Sequence, residues 1–214
     1  MLVNLKEILQ IAEEKKIAVG MFNATGFDSL QAIIAAAEEL NQPVILAHAE
    51  VHNVYNDISI VGPAMIAAAK NAKVPVCVHL DHGVTLEMIE RALDLGFTSI
   101  MIYASHLPFE ENLELTKKVT EKAHSLGVSV EAELGRLVTS EDGINQVDNP
   151  ESYYTDKYEA KLFVEKTGID ALAIAFGTAH GFYKSQPKLS FEVVSEVRST
   201  TRLPLVMHGG SGVS

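Results

Sequence analysis

Residues 75–82, PVCVHLDH, open with a proline, run through an almost unbroken apolar stretch and close on an acid and a histidine. Proline is tolerated at the first residue of a strand, where its missing N–H is not needed. An apolar run without alternation belongs to a strand covered on both faces, as in parallel sheets. The same grammar recurs on both sides of this stretch. IAVGMFN (17–23) and PVILAHA (43–49) precede it, and TSIMIYAS (98–105), VSVEAELG (128–135), DALAIAFG (170–177) and PLVMHGG (204–210) follow. Pro43 and Pro204 stand, like Pro75, at the head of their runs.

Amphipathic segments lie between these runs. Asp28 and Gln31 suit a capping box, and Leu30, Ile33, Ile34 and Ala37 then fall at helical spacing. A second such segment runs from Leu86 to Leu95 and stops at Gly96. Strand and helix alternating from end to end predict an α/β fold of parallel βα units. Seven strands are legible, one fewer than a closed (β/α)8 TIM barrel requires. The expectation is a single barrel domain over residues 1–214 whose C-terminal part, strand eight and the helices after it, is absent from the chain. A doubly wound sheet is the structural alternative.

Composition narrows the function classes. A formal charge of −11 leaves no basic stripe for phosphodiesters, so nucleic acid and anionic membrane surfaces are excluded as expected partners. The lone Cys77 sits in an apolar run and cannot form an intrachain disulfide, which suits a reducing compartment. Residues 1–16, MLVNLKEILQIAEEKK, read as an amphipathic helix without the basic start and continuous apolar core of a signal peptide. No run approaches the ~18 apolar residues needed to span a bilayer. A soluble, cytoplasmic protein is expected.

Polar residues gather at the C-terminal ends of the runs, where barrel enzymes place their chemistry. These are Asn23, Asp81 with His82, Glu131 with Glu133, His180 and His208. Three histidines delivered from three strand ends match a catalytic zinc site with three protein ligands and an open position. His124 falls in a helix, and His79 alternates away from its strand end. His48, His52 and His106 also lie near strand ends and stay open as competing ligands. Two glycine-rich stretches, FGTAHG (176–181) and HGGSG (208–212), could bring backbone N–H groups to a phosphate. The long polar connection from Arg136 to Asp156 has the length of a functional loop.

HLDH, SHLPFEEN, VEAELGRL, the pair Glu141 and Asp142, GTAHG followed by PKLSF, and HGGSG occur in one order across the chain. In this the sequence resembles the class II, zinc-dependent fructose-bisphosphate and tagatose-bisphosphate aldolases. The resemblance implies cleavage of a phosphorylated sugar, a ketose 1,6-bisphosphate, to dihydroxyacetone phosphate and glyceraldehyde 3-phosphate through a zinc-stabilised enediolate. It implies Zn2+ on His82, His180 and His208, with Glu133 at a second, more buried zinc position. Asp81 matches the acid that protonates the aldehyde oxygen, and Glu141 the loop glutamate that exchanges the proton on carbon. Asn23, Gly181, Gly209, Gly210 and Ser211 match the substrate and phosphate contacts, with a monovalent cation (Na+ or K+) often present, and a homodimer or homotetramer is the implied assembly.

The chain also departs from the family's pattern. Tyr103-Ala104 replaces Asp-Gly, which removes a carboxylate from the second zinc position. Ala49 replaces a hydroxyl residue, and Val138-Thr139 replaces Gly-Gly before Glu141. Such changes fit a related aldolase for another phosphorylated keto sugar, or a catalytically weak metal-binding subunit.

Overall fold

The computed structural model describes residues 1–135, 153–180, 183, 186–210 and 213. The chain divides into two compact units, Met1–Tyr103 with Val119–Glu131, and Ala104–Lys118 with Ala132–Ser214.

The first unit begins with a strand that sequence periodicity does not reveal. β1 (Leu2–Val3) pairs in parallel with the start of β4 (Val76–Gly83), Leu2 opposite Val76 and Val3 opposite Cys77. Asn4 then caps α1 (Leu5–Lys15) in a reciprocal box with Glu7, so the expected helix over residues 1–16 starts at Leu5. β2 (Met21–Asn23) is shorter than the expected 17–23, because Lys16 ends α1 in a left-handed turn and the chain straightens only afterwards. α2 (Phe27–Glu39) starts two residues earlier than Asp28 and Gln31 suggest. Its cap is Gly26, whose N–H donates to Ser29 Oγ at 3.0 Å.

β3 (Val44–Ala49), α3 (Ile58–Asn71), β4, α4 (Leu86–Asp94) and β5 (Ser99–Ile102) follow the expected alternation. Within this unit the sheet order is β2-β3-β4-β5-β6, where β6 (Ser129–Leu134) crosses into the second unit. β2–β3, β3–β4 and β4–β5 are parallel, and each proline read at the head of a run stands just before its strand. Leu46, Leu80, Ile100, Met101 and Ile102 from the strands and Ile58, Met65, Ile89 and Phe97 around them are fully buried. Each such side chain contributes roughly 1.5–3 kcal/mol by leaving water.

The second unit holds most of α5 (Phe109–Ser125), the end of β6, α6 (Lys157–Thr167), β7 (Ala171–Ile174), α7 (Phe191–Thr201) and β8 (Leu205–Val206). Its sheet order is β6-β7-β8, and β7 and β8 pair in parallel. The expected strand over 204–210 is thus only Leu205–Val206, and His208 lies beyond its end. Pro204 accepts from Leu172 N–H at 3.1 Å, which seats the strand's first residue. Seven α-helices and a parallel sheet among the described residues establish an α/β fold. No helix among them is long and apolar enough to cross a membrane.

Candidate active site

In the first unit, register sets three strand ends in a stagger of two residues each. Asn23 of β2 stands opposite Ala47 of β3, and Ala49 stands opposite Asp81 of β4. Asn23 Nδ2 donates to Asp81 Oδ2 at 2.9 Å, and Asp81 Oδ1 lies 2.7 Å from His82 Nδ1. Asp81 is buried, so these bonds replace the water it gives up and fix both carboxylate oxygens. Asn23 Oδ1 has no hydrogen-bond partner among the described residues, which leaves an acceptor for a bound hydroxyl. With Nδ1–H donated to Asp81, the lone pair of His82 is on Nε2, the arrangement a metal-binding imidazole needs.

One turn away, Glu50 accepts from the N–H groups of Val84 and Thr85 at 2.6 and 3.0 Å and from the Thr85 hydroxyl at 2.7 Å. It pins the loop that leaves His82. Sequence reasoning missed Glu50, because nothing local marks an acid whose partners are 34 and 35 positions later. His79 is a second omission. Strand alternation puts it on the face of Asp81, not away from it. It is fully buried, 2.8 Å from Ser99 Oγ through Nδ1 and 3.7 Å from Glu131 through Nε2.

In the second unit, His180 follows β7 and His208 follows β8, with ring centroids 5.9 Å apart and edge-on. Gly209 has a φ of 70°, and a Cβ there would meet the Ala179 carbonyl oxygen at 2.4 Å. Only glycine lets the segment after His208 lie this close to the segment before His180. Tyr183 joins the same two segments: its hydroxyl accepts from Ala179 N–H at 2.7 Å and donates to the Gly209 carbonyl at 3.0 Å. A tyrosine just after GTAHG carried no recognisable signal. Glu133 is buried and accepts from Ser105 Oγ at 2.5 Å, while its backbone carbonyl accepts from Asn112.

His180 and His208 stand side by side in the second unit as two imidazole donors, and His82 is turned by Asp81 in the first. The donor types fit a divalent metal: imidazoles, one of them turned by a carboxylate. Gly210 follows Gly209 among the described residues, whereas Glu141, Gly181 and Ser211 lie outside them. An apolar cavity of about 540 Å³ opens between β2 and α2, lined by Ile17, Phe22, Ile33, Leu40 and Pro43 among others. It has none of the polar groups described above.

Residues 3–214 match the family model described as fructose-bisphosphate aldolase class-II. The chain belongs to the class-II fructose-bisphosphate aldolase family. It is 46% identical over 217 residues to a fructose-bisphosphate aldolase of Staphylococcus epidermidis, covering 99% of this chain and 74% of the relative. A fructose-bisphosphate aldolase of Helicobacter pylori is also 46% identical, with 100% and 70% covered. Among solved structures, the YdjI aldolase of Escherichia coli K12 superposes with a TM-score of 0.89 at 39% identity, over all of this chain and 75% of that one. This aldolase is therefore a carbon-carbon lyase of carbohydrate metabolism, and its family is metal-dependent.

Proposed function

We propose that the chain cleaves a ketose 1,6-bisphosphate between C3 and C4, with a zinc ion on His82, His180 and His208. The Asp81–His82 pair at the end of β4, in a chain whose residues 3–214 match the family model, carries this reading. The bound metal supplies electrophilic stabilisation of the negative charge that spreads to the C2 oxygen as the bond breaks. Asp81 takes the proton of the C4 hydroxyl while C4 becomes the aldehyde carbon, and returns it in condensation. Asn23 keeps Asp81 turned to that task through Oδ2 and offers Oδ1 to a sugar hydroxyl. The electron pair left on C3 takes a proton from Glu141, giving dihydroxyacetone phosphate. Gly209 and Gly210, with Gly181 and Ser211, present N–H groups to the phosphate, helped by a monovalent cation.

The parallel sheet is read as part of a (β/α)8 barrel, and the working assembly as a homodimer or homotetramer in the cytoplasm. Tyr103 and Ala49 favour a second reading, in which the preferred ketose phosphate differs from fructose 1,6-bisphosphate. Chelation should abolish cleavage, and zinc or cobalt should restore it. A panel of fructose and tagatose bisphosphates then ranks the substrates. Turnover that survives exhaustive chelation, or a lysine adduct trapped by borohydride, defeats the metal reading.

A further inference from the structure

β4 departs from a regular strand where it carries the chemistry, and both neighbouring strands record the departure. Against β5, Leu80 stands opposite Ile100 and Gly83 opposite Ile102, so three steps along β4 match two along β5. Against β3, the ladder ends with Ala49 opposite Asp81. The residue after Ala49, Glu50, then reaches the N–H groups of Val84 and Thr85 with its side chain. Ala49 and Glu50 are adjacent, whereas their partners Asp81 and Val84 are three positions apart. His82 and Gly83 are therefore surplus, the condition for a β-bulge, which re-aims side chains at a strand's end. His82 takes up the surplus with a φ of 48°. A left-handed conformation at a non-glycine residue persists only where its surroundings over-determine it.

Glu50 supplies part of that determination. One carboxylate oxygen, Oε2, accepts from Val84 N–H at 2.6 Å and from Thr85 N–H at 3.0 Å, while Oε1 accepts from the Thr85 hydroxyl at 2.7 Å. Thr85 Oγ1 accepts in turn from Met88 N–H at 3.2 Å, which ties the carboxylate to the first turn of α4. Apolar burial does not hold this segment, since Val84 and Leu86 are 52% and 53% exposed. On the other flank, Tyr103 N–H donates to the Gly83 carbonyl at 2.9 Å, and a Cβ on Gly83 would meet the Met101 carbonyl oxygen at 2.6 Å. The bulge is clasped from both sides, by backbone from β5 and by one carboxylate from the end of β3.

We propose that Glu50 is a positioning residue: its carboxylate closes the bulge at Val84 and Thr85 and so sets the backbone from which Asp81 and His82 project. The bond from Asn23 acts on the Asp81 side chain, whereas Glu50 acts on the main chain just beyond His82. The effect expected on turnover rests on the reading of Asp81 as the proton carrier. The effect expected on the backbone does not.

Amide hydrogen exchange at Val84 and Thr85 in the metal-free, full-length protein reads the clasp directly. Wild type should protect both amides. Glu50→Gln should keep that protection, since one amide oxygen can accept both N–H groups, and Glu50→Ala should lose it. Turnover of a ketose bisphosphate by the metal-loaded protein should follow the same order. Glu50→Gln should match wild type, while Glu50→Ala should lose about tenfold to 10²-fold in kcat at unchanged KM, the scale on which a small misplacement of a reacting group is felt. If Glu50→Ala does not fold, Glu50→Asp carries the test with the same expectation, because it keeps the charge but falls one methylene short of the two N–H groups. A merely structural role would lower the thermal midpoint of the variant and leave kcat alone, and that result would overturn the assignment. Protection of both amides in Glu50→Ala would overturn it as well. A wild type that protects both amides yet cleaves no ketose bisphosphate would instead overturn the proposed reaction, with the exchange pattern still deciding the clasp.

Discussion

The Asp81-His82 corner and the glycine-rich segments after β7 and β8 reach order by opposite means. At the corner, side chains do the holding: Asn23, Asp81 and His82 form a chain of hydrogen bonds, and His82 accepts a strained backbone to join it. Around His180 and His208, backbone is what is held, through the close approach of Gly209 to Ala179 and one tyrosine hydroxyl that accepts from the first segment's N–H and donates to the second's carbonyl. Proton transfer needs a group fixed to a fraction of an ångström, and side-chain networks supply that. A phosphate is satisfied by several N–H groups with no side chain in the way. The contrast predicts that damage at the corner falls on turnover and damage in the glycine-rich segments on substrate binding.

The largest effect should come from Asp81→Asn. The amide preserves size, its oxygen can still accept from His82, and Asn23 can turn its own amide to accept from the new NH2, so the fold should persist while the proton acceptor is gone. Cleavage should fall about 10²-fold to 10⁴-fold, the usual contribution of a general acid–base group. Solvent hydrogen exchange into dihydroxyacetone phosphate should be spared, because it does not use the C4 oxygen. Turnover of Asp81→Asn at the wild-type rate would remove the aspartate from the mechanism and erase the contrast at its strongest point.

The two regions also differ in how far they could be read from sequence. PVCVHLDH showed a buried parallel strand and the placement of Asp81 and His82 at its end, because apolar runs and strand ends are local features. What stayed hidden depends on partners far along the chain. β1 is two residues long and is fixed by pairing to residues 76–77. Glu50 and Tyr183 act on distant backbone groups, which leave no periodic trace. His79 was misplaced because the end of its strand, not the face shared with Asp81, was taken as the deciding feature. The histidine trio was legible as chemistry, but only the family resemblance, not composition, preferred it to His48.

His48 sharpens the comparison, since it lies in the same unit as the corner but on the opposite face of β3 from Ala47 and Ala49. It is fully buried, and neither ring nitrogen has a hydrogen-bond partner among the described residues. Burial is the main cause that pushes its pKa from the ordinary 6.5 down to about 4, with His52 acting in the same direction and Asp57 opposing. The folded protein therefore keeps His48 neutral where the unfolded chain is protonated. Stability is unaffected above pH 6.5, falls as pH drops from 6.5 toward 4, and the loss levels off at about 3 kcal/mol. Urea unfolding of wild type and His48→Phe across this window should show a flatter profile in the variant. Parallel profiles would mean that His48 is hydrated in solution and takes no part in acid sensitivity.

The smallest effect belongs to Tyr183→Phe, and it tests the other half of the contrast. The phenol accepts from Ala179 N–H and donates to the Gly209 carbonyl, so its loss leaves one backbone donor and one acceptor to find water. Stability should fall by about 1 kcal/mol, the net worth of such bonds. The functional signature matters more than the size. Once the Ala179 and Gly209 segments are no longer cross-linked, the N–H groups offered to the phosphate lose alignment in the ground state and transition state alike, so KM should rise while kcat is held. Gly209→Ala attacks the same approach from the backbone, with a left-handed φ and a 2.4 Å clash to relieve, and should raise KM further. If Tyr183→Phe lowers kcat at unchanged KM instead, the tyrosine serves the reacting carbons and the division between a side-chain-held corner and a backbone-held cradle fails.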